Sequence, residues 1–190
     1  RLLREVAKEV DDVEVIGLVR RWLKAGVLTE RGVESRDAGT PQGGVISPLL
    51  ANIYLHRLDV EVRSAGFRLI RYADDFVILT ASRVEAQAAD AFVRHIVADI
   101  GLEVAEAKSG VKKVNEGFEF LGFTVLGRFL RPRPAALARF KDRVRGLTRR
   151  KAPVSIQQMI RDLNPTIRGW GNYFAIGSVV SLFEDLDKWI

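Results

Sequence analysis

The sequence predicts an α+β unit followed by an all-helical unit. Three observations carry this prediction. Apolar residues recur at helical spacing in separate blocks; two short β-branched and aromatic runs flank a tight polar turn near residue 74; and composition shifts at Gly127, after which no strand pattern recurs. The chain has 190 residues, of which 47% are apolar and 28% charged, enough for packed cores and against wholesale disorder.

The elements follow in order. Leu2, Leu3, Val6 and Val10 mark one helical piece, and Val15, Ile16, Val19 and Leu23 a second, with Asp11-Asp12 as its cap and Gly26 as its end. Residues 28–35 read as a short strand, and Gly39-Thr40-Pro41-Gln42-Gly43-Gly44 as a loop. Ser47 is expected as an N-cap with Pro48 as first helical residue. Leu49, Leu50, Ile53, Tyr54 and Leu58 continue that helix until Gly66. The runs 67–72 and 76–79 enclose Ala73-Asp74-Asp75 and read as a β-hairpin. Ser82-Arg83-Val84-Glu85 is a capping box for a helix carrying Val84, Ala88, Phe92, Ile96 and Ile100, closed by Gly101. Strands are expected at 102–104, 111–114 and 118–125, giving a sheet with helices on one face. Further helices are expected at 135–150, 155–163, from Pro165 onward, and at 179–190. The domains predicted are therefore 1–126 and 135–190, joined by a proline-bearing linker at 127–134.

Composition excludes several chemistries. There is no cysteine, hence no disulfide and no thiolate site. Two histidines, His56 and His95, are too few for a histidine-built metal centre, and both read as surface or structural residues. Any metal chemistry must use oxygen ligands, which suit Mg²⁺ or Mn²⁺. No apolar run approaches the roughly 20 residues that span a membrane, and no signal peptide is visible, so an intracellular, cytoplasmic protein is expected. Because Met159 is the only methionine and the chain begins at Arg1, a fragment, a processed product or a trimmed chain is expected.

Net charge is +6, unevenly spread: residues 128–151 hold ten Lys or Arg against Asp142 alone, a local +9 that leaves −3 for the rest. A basic run is often a solvated helix face, but its concentration in one segment points to a polyanion such as nucleic acid.

Asp74 and Asp75 could hold magnesium from a rigid hairpin, leaving coordination places for water and phosphates. Taken alone, an Asp-Asp turn is more often local hydrogen bonding. Its neighbours change that weighting. Arg71-Tyr72-Ala73-Asp74-Asp75-Phe76-Val77-Ile78 resembles the Tyr-x-Asp-Asp signature of reverse transcriptases. The stretch from Gly39 through Gln42-Gly43-Gly44 and Ser47-Pro48 to Leu55 is similar to the loop-to-helix motif preceding it in that family. Gly117-Phe118-Glu119-Phe120-Leu121-Gly122-Phe123 is similar to the strand motif that grips the primer. Leu163-Asn164-Pro165 with Arg168-Gly169-Trp170-Gly171-Asn172-Tyr173-Phe174 resembles the maturase (thumb) domain of group II intron proteins. Four motifs in this order cover most of the chain.

The resemblance implies a partial reverse-transcriptase palm followed by a helical thumb. It implies RNA-directed DNA polymerase activity by two-metal phosphoryl transfer, with Asp74 and Asp75 as catalytic metal ligands. Lys108 matches a family position considered for proton donation to pyrophosphate, and an exposed lysine reads equally well there. Pro41, Gln42, Gly43, Gly44, Tyr72, Ala73, Gly122, Arg139, Lys141 and Arg143 become the template and substrate contacts. The bare backbone at Gly43-Gly44 would admit a close base or nucleotide, and the basic run would track phosphates with strong salt dependence. Trp170, Tyr173 and Phe174 are expected in the core. Implied partners are an RNA template (intron RNA in this branch), a DNA primer, dNTP, and an amino-terminal segment of the same enzyme. The family's third carboxylate comes from an upstream strand, and Asp11, Asp12 and Asp37 do not match its context, so a truncated polymerase that is weak or inactive alone is expected. The competing expectation is a non-catalytic, RNA-binding maturase fragment that assists splicing.

Overall fold

The computed structural model describes residues 1–25, 44–149 and 154–190, and the backbone of 27–29 and 32–34. They form two compact units, Arg1–Val111 and Lys112–Ile190. The architecture is mixed, largely helical with small antiparallel sheets. No helix among the described residues is long and apolar enough to cross a membrane.

In the first unit, α1 (Leu2–Glu9) and α2 (Val13–Lys24) pack on the first half of α3 (Ser47–Ser64). Asp12 caps α2 as expected, its carboxylate accepting from the amides of Glu14 and Val15 at 2.8 and 3.2 Å. Val6, Val19 and Leu50 are the buried centre of this cluster. The short hairpin β1 (Val27–Thr29) and β2 (Gly32–Glu34) follows α2, where a single strand was expected. Ile46 takes the N-cap position of α3, so Ser47 and Pro48 are its first two helical residues rather than cap and start.

The second half of α3 lies under the hairpin β3 (Arg68–Tyr72) and β4 (Asp75–Leu79), with α4 (Arg83–Asp99) completing the layer. Leu58, Val62, Leu69, Val93, Ile96 and Val97 form the core there, with Phe76 and Ile78 packed against it. The apolar residues of α3 thus serve two clusters, one at each end of the helix. The capping box forms as predicted: Ser82 Oγ accepts from the Glu85 amide at 3.1 Å, and the Glu85 carboxylate accepts from the Ala81 amide at 2.9 Å. Gly101 ends α4 at φ +78°, the left-handed position a side chain disfavours.

The strands expected at 102–104 and 111–114 do not form. A strand needs a ladder partner for its amides; here the Leu102 amide turns back to the Val97 carbonyl, a local turn closed by Lys108 on Ala105 precedes 111–114, and one closed by Glu116 on Lys113 overlaps its end.

In the second unit, β5 (Phe118–Phe120), β6 (Phe123–Leu126) and β7 (Phe129–Pro132) make an antiparallel sheet in that order. The single strand expected at 118–125 is therefore a hairpin, because Leu121 and Gly122 both take positive φ, +48° and +81°, as a tight two-residue turn requires. The expected linker at 127–134 is not a linker. Pro132 ends an edge strand, where its missing N–H is tolerated, and Pro134 opens α5 (Pro134–Leu147). The compact units divide at Val111–Lys112, so these three strands pack with the helices that follow them.

The helices α6 (Ile156–Phe174) and α7 (Val180–Trp189) complete the unit. Pro165 does not begin a new helix; α6 runs through it. The aromatic face of α6 explains the continuity. Trp170 stacks on Phe140 of α5 at 4.5 Å and lies 4.6 Å from Phe174, joining the cluster at the sheet to the cluster between α5 and α7. Phe174 is buried and Trp170 half-buried against it, as predicted; Tyr173, also expected in the core, is instead exposed, because it sits on the edge of the aromatic face with its ring over Phe123.

Candidate active site

The register of the first-unit hairpin decides where its carboxylates go. Tyr72 pairs with Asp75, so Ala73 and Asp74 are the two turn residues. Alternation puts Leu69, Arg71, Phe76 and Ile78 on the face toward α3 and α4, and Ile70, Tyr72, Asp75 and Val77 on the other. Tyr72, Ala73, Asp74 and Asp75 are all exposed. Ala73 has φ +54°, a left-handed conformation that an L-residue adopts at a penalty of roughly 1–2 kcal/mol.

Arg71 explains why the turn keeps that shape. Its Nε and Nη2 donate to Asp59 Oδ1 and Oδ2 at 2.7 and 2.5 Å, and its Nη1 donates to Asn52 Oδ1 at 2.9 Å and to the Ala73 carbonyl at 2.7 Å. The hydrogen bond to Asp59 raises the guanidinium's pKa above its ordinary value. Arg71 is thus committed to α3 and the turn backbone. Neither Asp74 nor Asp75 has an ion-pair partner among the described residues. Arg71 belongs to the motif, but the sequence alone assigns it no role. Its alternation onto the inward face was the available signal, since an inward charge needs a partner.

Two adjacent, exposed carboxylates are hard oxygen donors that fit magnesium, which characteristically takes one or two carboxylates and fills its remaining places with water and substrate phosphate. Among the described residues no cluster of three or more His, Cys, Asp or Glu accompanies them.

Lys108 is exposed, in a turn whose amide closes on the Ala105 carbonyl at 3.0 Å. Arg94 of α4 holds that turn through Glu106 while also bonding Asp90 at 2.8 Å, and both carboxylates raise its pKa, Glu106 most. His56 and His95 are exposed on helices. Pro41, Gln42 and Gly43 lie outside the described residues, as does Asp37; the Gly44 carbonyl accepts from the Ser47 amide at 3.0 Å in the turn leading into α3.

In the second unit, Gly122 and Arg139 line a shared cavity of about 340 Å³ with Arg133, Trp170 and Tyr173. Two buried donors, Arg133 Nε and Trp170 Nε1, have no acceptor among the described residues. Gly122 tolerates its φ of +81° because it lacks a side chain. On α5 the basic residues divide. Lys141 and Arg145 lie over the ring of Trp189, at 5.3 and 5.4 Å from its centroid. Arg139 and Arg143, one turn apart, are exposed and have no partner among the described residues.

Residues 6–125 match the family of reverse transcriptases (RNA-dependent DNA polymerases), and the chain belongs to that family. Residues 137–190 match the maturase-specific domain of group II introns, so the two matches together are those of a group II intron reverse transcriptase/maturase. The chain is 49% identical over 51 residues to the group II intron-encoded protein LtrA of Lactococcus lactis, covering 27% of this chain and 8% of that protein. It is 46% identical over 59 residues to an uncharacterized 91 kDa protein in the cob intron of Schizosaccharomyces pombe, covering 31% and 7%. Protein YkfC of Escherichia coli is 27% identical over 160 residues, covering 66% and 42%. The chain therefore matches under a tenth of the length of the first two relatives and less than half of the third.

Proposed function

We propose that the chain carries part of the machinery of an RNA-directed DNA polymerase of the group II intron type, which adds dNTP to a DNA primer on an RNA template. The observation that carries the reading is the Asp74-Asp75 turn: two adjacent carboxylates, exposed and unpaired among the described residues, on a hairpin held against α3. Asp74 and Asp75 would hold Mg²⁺ or Mn²⁺. Such ions, when bound, neutralise charge developing on the attacking and leaving oxygens. In the reaction the primer 3′-hydroxyl gives its proton to solvent, its oxygen forms a bond to the α-phosphorus, the bond from that phosphorus to the bridging oxygen breaks, and pyrophosphate leaves. Lys108 is the proposed proton donor to that pyrophosphate. Tyr72, Ala73, Gly122 and the Pro41–Gly44 segment are proposed substrate and template contacts, and Arg139, Lys141 and Arg143 backbone contacts. The chain's share of the work is positioning and charge neutralisation rather than covalent chemistry.

A second reading, RNA binding in support of intron splicing without polymerisation, is favoured by the maturase-domain match and the exposed Arg139 and Arg143. Primer extension on poly(rA)/oligo(dT) with magnesium tests the first reading, using this chain and one extended with its upstream sequence. Incorporation lost on Asp74→Asn or Asp75→Asn, with RNA binding unchanged, supports the polymerase. No incorporation by either chain, together with tight intron binding, moves the assignment to the second reading.

A further inference from the structure

Arg71 uses all three guanidinium nitrogens, and only one of their bonds faces the turn. The fork to Asp59 and the bond to Asn52 fix the group on α3, where the two acceptors are seven residues apart, two helical turns along one face. Arg71 and Asp59 expose only 11% and 14% of their side chains, so most of this pair is shielded from solvent. From that anchor Nη1 reaches the Ala73 carbonyl at 2.7 Å. Ala73 is one of two non-glycine residues with positive φ among those described. A bond to its carbonyl restrains the Ala73–Asp74 peptide plane, from which both carboxylate-bearing residues follow.

We propose that Arg71 is the positioning residue of the carboxylate turn: it holds the Ala73 backbone in its left-handed form and thereby sets the directions of Asp74 and Asp75. This rests on the reading that those carboxylates hold the divalent cation. Arg71 acts through the turn backbone, its contacts being Asp59, Asn52 and the Ala73 carbonyl. Lysine cannot replace it, because a single ammonium cannot keep the fork to Asp59 and reach Ala73 at once. Asn52 is the auxiliary anchor.

Mn²⁺ binding by the full chain, followed by electron paramagnetic resonance of the free ion, tests the proposal with wild type, Asp74→Asn/Asp75→Asn, Arg71→Lys and Asn52→Ala. The double Asn variant is expected to lose the site. Arg71→Lys is expected to weaken Mn²⁺ on the order of tenfold, the usual effect of removing a group that orients metal ligands, and Asn52→Ala by less. Amide hydrogen exchange at Asp74 and Asp75 is expected to accelerate in Arg71→Lys with no metal present. Unchanged Mn²⁺ affinity and unchanged exchange in folded Arg71→Lys would overturn the proposal. If that variant does not fold, unchanged affinity and exchange in Asn52→Ala would overturn it. Mn²⁺ binding that survives the double Asn substitution removes the metal reading instead, and the exchange rates then decide whether Arg71 holds the turn.

Discussion

The hydroxyl of Tyr173, on α6, donates to the carbonyl of Leu121 at 2.8 Å. Leu121 is the second non-glycine residue with positive φ among those described, so both such residues, Ala73 and Leu121, have their carbonyl held by a side chain. Tyr173 also stacks on Phe123 just beyond the turn, at 5.5 Å and 27°. With Phe174 edge-on to Phe123 at 4.8 Å, the turn of the β5–β6 hairpin is fastened to the maturase-domain helix by two rings and one hydroxyl.

Tyr173→Phe keeps the ring and removes the donor. The expected loss is about 0.5–1 kcal/mol, the net value of one partly solvated hydrogen bond, read as a drop of a few degrees in the thermal midpoint. Exchange of the Gly122 amide is expected to quicken by more than that of amides elsewhere in α6. A uniform change across the unit would mean that the bond does not localise the turn.

Ala73 is predicted to discriminate sharply between substitutions. Ala73→Val places a β-branched side chain at positive φ and is expected to destabilise by about 1–2 kcal/mol. Ala73→Gly relieves the strain but enlarges the unfolded ensemble, so its stability is expected to stay within about 1 kcal/mol of wild type. Denaturant midpoints of the two variants settle the matter; equal losses would mean that the backbone at Ala73 is not under strain.

The two sets of basic residues on α5 are expected to behave differently toward nucleic acid. Arg139→Ala and Arg143→Ala should each lower the slope of log K against log salt by about 1, the signature of one phosphate contact. Lys141→Ala should lower it by less, since its ammonium already leans on Trp189. Filter binding of an intron RNA across salt concentrations measures this. Three equal slopes would remove the distinction.

Pro165 lies exposed inside α6, where it withholds an amide from the carbonyl four residues earlier. Pro165→Ala is expected to stabilise the second unit, by up to about 3 kcal/mol. A loss of stability on thermal unfolding would show that the proline shapes the helix for packing rather than merely being tolerated.

The sequence spoke most clearly where local chemistry decides structure. The Asp12 cap, the Ser82–Glu85 box, the hairpin around Ala73-Asp74 and the helix ended by Gly101 were all legible, because each depends on residues within one or two turns. It misled where a partner decides. The apolar residues at 102–104 and 111–114 resemble strands yet have no ladder to join. The run 118–125 hides a turn because leucine rarely takes positive φ, and Gly122 was the quiet clue. Pro132 and Pro134 suggested a linker, since an edge strand's unused amide leaves no mark in one sequence. Pro165 suggested a break because the aromatic packing that carries α6 past it comes from Phe140, distant in the chain. Within the carboxylate turn the motif pointed at Tyr72, Asp74 and Asp75, whereas the contacts of Arg71 with Asn52 and Asp59 required the pleat and the helix together.

The ring of Trp189, with Lys141 and Arg145 resting on it, gives the protein a spectroscopic handle of its own. Indole emission responds to charge at its face, and a polyanion that competes for those two cations draws them off the ring. Of the three tryptophans, Trp170 is packed among aromatic rings and Trp22 belongs to the other unit, remote in sequence from the basic helix. A Trp22→Phe background therefore turns intrinsic fluorescence into a label-free gauge of how α5 distributes its charge, readable in the same titration that measures RNA binding.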